Sequence, residues 1–526
     1  MTYTEHIAAK ITEFENGDMR TISLNGNEIL LCKIDDSFYA LGAHCTHYGA
    51  LLSDGILNGE RIICPWHHAC FNARTGDNLE PPANDSLPKY ETKIDGENVV
   101  VLLPGSLEAG RLPSLAGHNV TDRRKFVIIG GGAAGYSAIQ ALRGEGFTGE
   151  IVFITQENRL PYDRPNLSKD YLSGDADEHW MPLRNEEFYK KYGIETILNK
   201  KVSGINFARK TIDFSNGINL KYDKILLASG AEARKLNIPG EDLENVFTLR
   251  NFNDARRIIE AGKKASKAIV IGASFIGLET AYSLRKRGLS VTVISQELIP
   301  FERIFGKEIG GLFKKLHEEN GVVFRLSFSL KEFAGNKKVE AVLLQNGERI
   351  ETDMVVLGVG VKPATSFLRN LNLLPDGSVK VNEYFEVMED VYAAGDIATY
   401  TDWRTGEEVR IEHWRNALQQ GRIAARNMTG KKEKNRTIPF FWTSQVGLSI
   451  NYVGFAKDWE EIVLKGDISS QKFIAFYIKG DKVLAATGNN CDKEIAAIEE
   501  LFRHGKMPSS NELKYKSIDF IKLLKK

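Results

Sequence analysis

Between His44 and Phe71 the chain reads HCTHYGALLSDGILNGERIICPWHHACF, and these 28 positions hold three of its five cysteines and four of its ten histidines. Cys45 and His47 form a Cys-x-His pair, and Cys64 and His67 follow as Cys-x-x-His after sixteen intervening residues. Two thiolates and two imidazoles at such short spacings are a metal-binding set. A tetrahedral zinc site accepts two cysteines and two histidines. So does a binuclear iron–sulfur centre in which two thiolates hold one iron and two imidazoles the other. Zinc fingers pair like with like, whereas each pair here mixes the two types, so each loop can offer one ligand to each iron. The pattern favours a [2Fe-2S] cluster and leaves zinc as the alternative. His44 and His68, beside the ligands, read as exposed neighbours, and Cys70 as a small packing residue.

A second chemistry is written in glycine. From Lys125, KFVIIGGGAAGYSAIQALRGEGFTGEIVFITQE is a buried strand, a Gly-rich turn, a helix and a second strand. Gly130 permits the tight turn, Gly132 lets the backbone approach a pyrophosphate, and Gly135 lets helix and strand pack closely, with the helix amino terminus facing the anion. Glu157 closes the second strand, where an acid binds ribose hydroxyls. A second copy from Lys267 carries Gly272, Ser274 and Gly277, with serine in place of the middle glycine. Two such units about 140 residues apart suit a chain that binds both FAD and a nicotinamide nucleotide. After VTVI come Ser295, Gln296 and Glu297. The acid at Glu297 favours NADH, and Ser295 leaves NADPH open.

These residues need a large scaffold. At 526 residues the chain has room for three or four domains. Short strands separated by Gly, Asn and Asp run over 1–103, giving an all-β module around the clustered Cys and His. Residues 104–124, rich in Gly, Pro and small polar residues, read as a linker. An FAD-binding domain is expected over 125–245 and 364–430, a nicotinamide-binding domain over 246–363, and a small α+β domain over 431–526. In that last domain, strands in KFIAFYIKGDKVLAATG precede a helix in DKEIAAIEELFRHG. The basic tail ELKYKSIDFIKLLKK reads as one solvated amphipathic helix, with membrane-surface contact the lesser reading.

Net charge is zero, which gives no case for a nucleic-acid partner. Residues 1–103 nevertheless carry 15 acidic and 7 basic side chains, a net of −8. A solvated acidic face explains this most simply; docking of an acidic module on a basic one is the alternative. Five cysteines, three of them clustered, do not make a disulfide framework. The amino terminus shows neither signal nor transit peptide, and no apolar run reaches bilayer-spanning length, so the expectation is a cytoplasmic protein without integral membrane segment.

The Cys-x-His and Cys-x-x-His loops, with the Pro-containing CPWHHACF and the following RTGDN turn, resemble the Rieske family signature. From Lys125 to about Asp467 the chain resembles FAD-dependent pyridine-nucleotide reductases of the ferredoxin-reductase and apoptosis-inducing-factor branch, through LPYDRPNLSKDYL, ILLASGA, VFTLRNFNDA, GASFIGLE, VYAAGDIA, EHWRNALQQGRIAARNM and PFFWTSQ. The whole chain resembles Rieske-containing apoptosis-inducing-factor-like oxidoreductases. The resemblance implies that Arg164 and Lys169 contact FAD and that Glu279 sits beside Lys169 and the nicotinamide. It further implies that Asp396 hydrogen-bonds the FAD ribityl or phosphate region, and that Trp414 and Trp442 pack near the isoalloxazine. For Trp442, core packing without a redox role is an equal alternative.

Function follows by elimination. No cysteine lies between 71 and 490, which excludes disulfide-reductase, peroxide-reducing NADH-oxidase and sirohaem chemistry. No Asp-x-x-His-x4-His pattern follows the cluster module, so the mononuclear iron of a Rieske oxygenase lacks ligands. What remains is an oxidoreductase passing electrons from NAD(P)H through FAD to the fused cluster and on to an unidentified acceptor, a redox protein or oxygenase among the candidates. The histidine ligands raise a Rieske potential to about −150 to +300 mV, so that transfer runs downhill. The alternatives are a reductase component docking a separate oxygenase or redox partner, and a redox-responsive signalling flavoprotein. A homodimer is left open.

Overall fold

The strands expected before residue 103 form two antiparallel sheets. One has six strands in the order Tyr3–Lys10, Asn98–Pro104, Lys89–Asp95, Ser37–Gly42, Asn27–Ile34, Met19–Leu24; the other has four, Ile56–Asn58, Arg61–Ile63, Cys70–Asn72 and Asn78–Glu80. The computed structural model describes residues 3–525. Met1, Thr2 and Lys526, which the readings of the amino terminus and the basic tail include, lie outside them.

Two Rossmann-like units follow. The first is a six-stranded sheet whose centre, Glu150–Ile154, Lys125–Ile129, Lys224–Leu227 and Val391–Ala393, is parallel. The second is five parallel strands, Val246–Thr248, Met354–Leu357, Lys267–Ile271, Ser290–Ser295 and Val322–Leu326. Continuous apolar runs such as FVII and AIVI are buried on both sheet faces, as parallel strands covered by helices must be. The C-terminal domain is a five-stranded antiparallel sheet backed by the helix Asp492–Arg503.

The tail is not one helix. It is two short ones, Ser510–Tyr515 and Phe520–Leu524. The backbone turns extended at Lys516, and the Asp519 side chain starts a new turn by accepting from the Lys522 N–H at 2.9 Å. Among the described residues no helix is long and apolar enough to cross a membrane.

The N-terminal module is not a bead on a string. Ile56, Ile63 and Cys70 share one apolar core with Phe440, Ile474 and Ile495 of the C-terminal domain. The segment after residue 104 is laid along the first Rossmann unit: Ala116 N–H donates to the Arg143 carbonyl and Asn119 N–H to that of Thr148, at 2.9 and 2.8 Å.

Candidate functional site

Two similar turns carry the clustered cysteines and histidines. Cys45 N–H donates to the Ala50 carbonyl at 2.8 Å, and Cys64 N–H donates to that of Ala69 at 2.9 Å. The loops face each other, which sets the Nδ1 atoms of His47 and His67 3.1 Å apart and makes hydrogen-bond neighbours of the buried Cys45 and Cys64 thiols. Burial pushes His47 down to about 3 and His67 well below the ordinary imidazole range. Both rings are therefore neutral at physiological pH, with a lone pair to offer a metal. Burial acts to raise Cys64, but hydrogen bonds from Cys45 and from the Trp66 and His67 N–H groups prevail and lower it. Among the described residues no three His, Cys, Asp or Glu side chains converge on a single point. The donor set is a thiol pair and an imidazole pair, which fits a two-iron cluster better than one tetrahedral zinc.

A cavity of about 590 Å³ lies where both Rossmann units meet the C-terminal sheet. Gly132, Arg164, Lys169, Ser274, Glu279, Asp396, Trp414 and Trp442 line it; Gly130, Gly135, Gly272, Gly277, Glu157 and Glu297 do not. The four glycines outside the lining build the turns. Gly130 has φ +126°, and a Cβ there would sit 2.0 Å from the Ala228 carbonyl oxygen; a Cβ on Gly135 would sit 2.0 Å from that of Gly130. Gly277 meets Gly272 in the same way at 2.1 Å. At Gly132 a Cβ would meet nothing within 4 Å, so open backbone faces the cavity at the start of the helix Ala133–Gly144, where no side chain caps the N–H groups. That cradle fits the pyrophosphate of FAD. Ser274 keeps the second cradle open by turning its hydroxyl away to the Gly358 carbonyl at 3.0 Å. Gly130→Ala is expected to yield chain with little bound FAD, read as flavin absorbance per chain in the purified protein.

The charged residues of the cavity are paired. Lys169 Nζ lies 2.7 Å from Glu279 Oε2, and Arg250 holds Asp396 at 2.8 Å. Glu157 is fixed by Arg164 and by the Tyr162 hydroxyl, each at 2.7 Å. Glu297 is half-buried, and burial raises its pKa against the opposing effect of Arg303.

One aromatic joins the two centres. Trp442 lines the cavity, and its ring centroid lies 4.4 Å from that of His67 and 6.2 Å from that of His47. On the other side of the cluster loops, Tyr48 stacks on His47 at 4.0 Å and its hydroxyl donates to Asp163.

His68, read as exposed, is fully buried and hydrogen-bonds Glu499. It belongs to a seam between the N-terminal module and the rest. Arg415 donates to the carbonyls of His68 (2.9 Å) and Pro81 (3.0 Å) and pairs with Glu80 and Glu499, each at 3.0 Å. Glu80 also meets Arg61 at 2.7 Å and Arg503 at 2.9 Å, and Asp85 meets Arg184 at 2.6 Å. Part of the acidic excess is therefore docked on arginines, while His44 stays exposed against Glu28. Tyr48, Asp163, Arg250, Arg415 and Glu499 carry no spacing signal; Asp163, Arg250 and Arg415 fall within stretches, LPYDRPNLSKDYL, VFTLRNFNDA and EHWRNALQQGRIAARNM, that the family resemblance singled out.

A two-iron donor set fused to a double nucleotide-binding scaffold defines a Rieske-type flavoprotein oxidoreductase. Family models agree: Rieske [2Fe-2S] domain at 4–91, pyridine nucleotide-disulphide oxidoreductase at 124–421 and reductase C-terminal at 440–524. The chain belongs to the pyridine nucleotide-disulphide oxidoreductase family, in its Rieske-bearing, ferredoxin-reductase-like branch; it is an FAD-dependent oxidoreductase that uses NAD(P)H and a [2Fe-2S] cluster. It is 36% identical over 521 residues to apoptosis-inducing factor 3 of Homo sapiens, covering 97% of this chain and 86% of that one. It is 33% identical to rhodocoxin reductase of Rhodococcus erythropolis over 72% of this chain and 88% of that one. The crystal structure of a covalent putidaredoxin reductase–putidaredoxin complex matches with TM-score 0.73 and 29% identity, covering 77% of this chain and 99% of that one.

Proposed function

We propose that this chain carries electrons from NADH to its own cluster within a single polypeptide and passes them on singly to a separate redox protein. When bound, FAD accepts a hydride from NADH and gives up electrons one at a time, and the cluster takes one. The observation that carries the reading is Trp442, which lines the cavity and lies 4.4 Å from His67. Cys45, His47, Cys64 and His67 hold the cluster. Gly130, Gly132, Gly135, Arg164 and Asp396 seat the FAD, with Glu157 acting through Arg164. Gly272, Ser274, Gly277 and Glu297 seat the nicotinamide nucleotide. Trp414 and Trp442 exclude water from the flavin face.

The seam around Arg415 supports a module docked for good rather than one swinging on a tether, so no second copy is needed for the internal step. Relatives include a ferredoxin–NAD(+) reductase component of a 3-phenylpropionate/cinnamic acid dioxygenase, which favours a protein acceptor of the same one-electron kind. Cys32, Cys70 and Cys491, which hold no cluster, are free thiols, in keeping with a reducing, cytoplasmic compartment.

Anaerobic stopped-flow mixing of the loaded protein with NADH and then NADPH, with EPR on frozen samples, tests this. Flavin bleaching followed within a turnover by the reduced-cluster signal is expected, faster with NADH. Trp442→Leu is expected to keep flavin bleaching and delay the cluster signal into a separate slow phase. A cluster that stays oxidised while flavin bleaches in the unmutated protein rejects the internal route.

A further inference from the structure

The Lys169–Glu279 pair is one end of a longer buried chain. Glu279 Oε2 accepts from Ser168 Oγ at 2.6 Å and from Lys169 Nζ at 2.7 Å, and its Oε1 accepts from Thr443 Oγ1 at 2.8 Å. Gln445 Nε2 donates to Thr443 Oγ1 at 2.9 Å, and Gln445 Oε1 lies 2.9 Å from His317 Nε2. Thr443 and His317 are fully buried, and Gln445 and Glu279 are 2% and 3% exposed. Thr443 and Gln445 stand two apart on the strand Phe440–Gln445, so both face the same way. None of Thr443, Gln445 and His317 lines the cavity.

One polarity alone satisfies this chain. An ionised carboxylate can only accept, so the Thr443 hydroxyl must donate to Glu279. Its single proton thus committed, Thr443 must accept from the Gln445 amide nitrogen. The Gln445 oxygen then faces His317, whose Nε2 must carry the proton. His317 Nδ1, buried without a partner, is left as a bare lone pair. The reverse order would aim a hydroxyl lone pair at a buried carboxylate and bury an orphan N–H on His317, and both are costly. Burial lowers the pKa of His317 to about 4 against the raising effect of Gln445, so the ring stays neutral across the physiological range.

We propose that Thr443, Gln445 and His317 are positioning residues: three aligned donors that fix the Glu279 carboxylate in place and so hold the Lys169 ammonium in the cavity. This rests on the reading that Lys169 and Glu279 face the flavin and nicotinamide. The three domains that meet at the cavity each contribute: the FAD-binding unit gives Ser168 and Lys169, the second Rossmann unit gives Glu279 and His317, and the C-terminal sheet gives Thr443 and Gln445.

Two measurements on the full-length, FAD-loaded chain decide it. Nitrogen-15 NMR of histidine-labelled protein, with His317→Gln to assign the signal, is expected to show His317 neutral and protonated at Nε2 from pH 6 to 8, a readout independent of turnover. A proton on Nδ1 overturns the proposal. In stopped flow, Thr443→Val is expected to slow flavin reduction by NADH about tenfold at unchanged FAD content, measured well below its lowered melting temperature, and Thr443→Ser to restore it to within about twofold, as loss and return of one hydrogen bond to a charged group predict. Thr443→Val at the unmutated rate, or Thr443→Ser as slow as Thr443→Val, overturns it. Glu279→Gln separates the two layers. If it is slow while Thr443→Val is not, the positioning chain alone fails; if Glu279→Gln is itself at the unmutated rate, the assignment of the pair fails and the chain with it.

Discussion

Arg415→Leu is expected to loosen the Rieske module from the flavoprotein body and to cost on the order of 3–5 kcal/mol, the usual loss when one partner of a buried ionic set is removed. Arg415 is 1% exposed and spends its guanidinium on two carboxylates and two carbonyls. Without it, Glu499 keeps His68 and a 3.5 Å contact to Arg503, and Glu80 keeps Arg61 and Arg503, so negative charge is left under-compensated in a desolvated seam. Arg415→Lys should recover little, because an ammonium cannot reach four acceptors set for a planar fork. The expected signature is a lower melting temperature by calorimetry and faster proteolysis within 104–124. Flavin bleaching by NADH should be normal, but the EPR signal of the reduced cluster delayed. The seam also sets an acid limit. Burial acts to raise the Glu80 carboxyl, but Arg503, Arg61 and Arg415 outweigh it and hold it well below the ordinary range. A depressed folded-state pKa stabilises above the unfolded value of about 4.3 and is lost as pH falls through the folded one. Unmutated protein should therefore hold its melting temperature from neutral pH down to about 5 and lose it below about 4, whereas Arg415→Leu should start lower and fall less.

What the sequence revealed of this molecule depended on how local the signal was. The cluster loops were legible because each pair of ligands lies within four residues and mixes Cys with His, a pattern that has few other uses. The cradles were legible because Gly130, Gly135, Gly272 and Gly277 satisfy a steric demand on the backbone that no other residue meets. Lys169 and Glu279 stand 110 positions apart, and only the family resemblance brought them together. The seam had no spacing signal, and the family resemblance touched it only at Arg415, inside EHWRNALQQGRIAARNM. His68 bonds a residue 431 positions away, so a histidine beside two ligands and a tryptophan read as exposed when the C-terminal helix in fact covers it. The acidic excess of 1–103 was a true observation with two explanations, and composition cannot sort Glu80 and Asp85, docked on arginines, from the acids that face water. The tail was misread as one helix because its charge pattern is amphipathic throughout, while the extended backbone at Lys516 and the cap at Asp519 divide it.

Lys169→Met is expected to slow flavin reduction by NADH by about 10²–10³-fold, the scale seen when a fixed electrostatic donor is removed from a water-poor active site. Lys169 is the ammonium among the cavity's lining residues that is held by a buried carboxylate, and with FAD bound as proposed it would offset the negative charge that hydride transfer brings to the ring. Removing it also strands Glu279, 3% exposed, with only the Ser168 and Thr443 hydroxyls as donors. The unpaired buried carboxylate should lower the melting temperature. Two consequences separate the electrostatic role from the structural one. Lys169→Met with Glu279→Gln should recover the melting temperature, since a neutral pair replaces an unpaired buried charge, but should not recover the hydride-transfer rate. Lys169→Arg keeps the charge but spreads it over a wider planar group beside Pro165 and Ser168; it should retain stability and regain only part of the rate. A double variant as fast as the unmutated protein would mean that Lys169 serves only to neutralise Glu279, and that developing negative charge on the ring is met by other groups of the cavity.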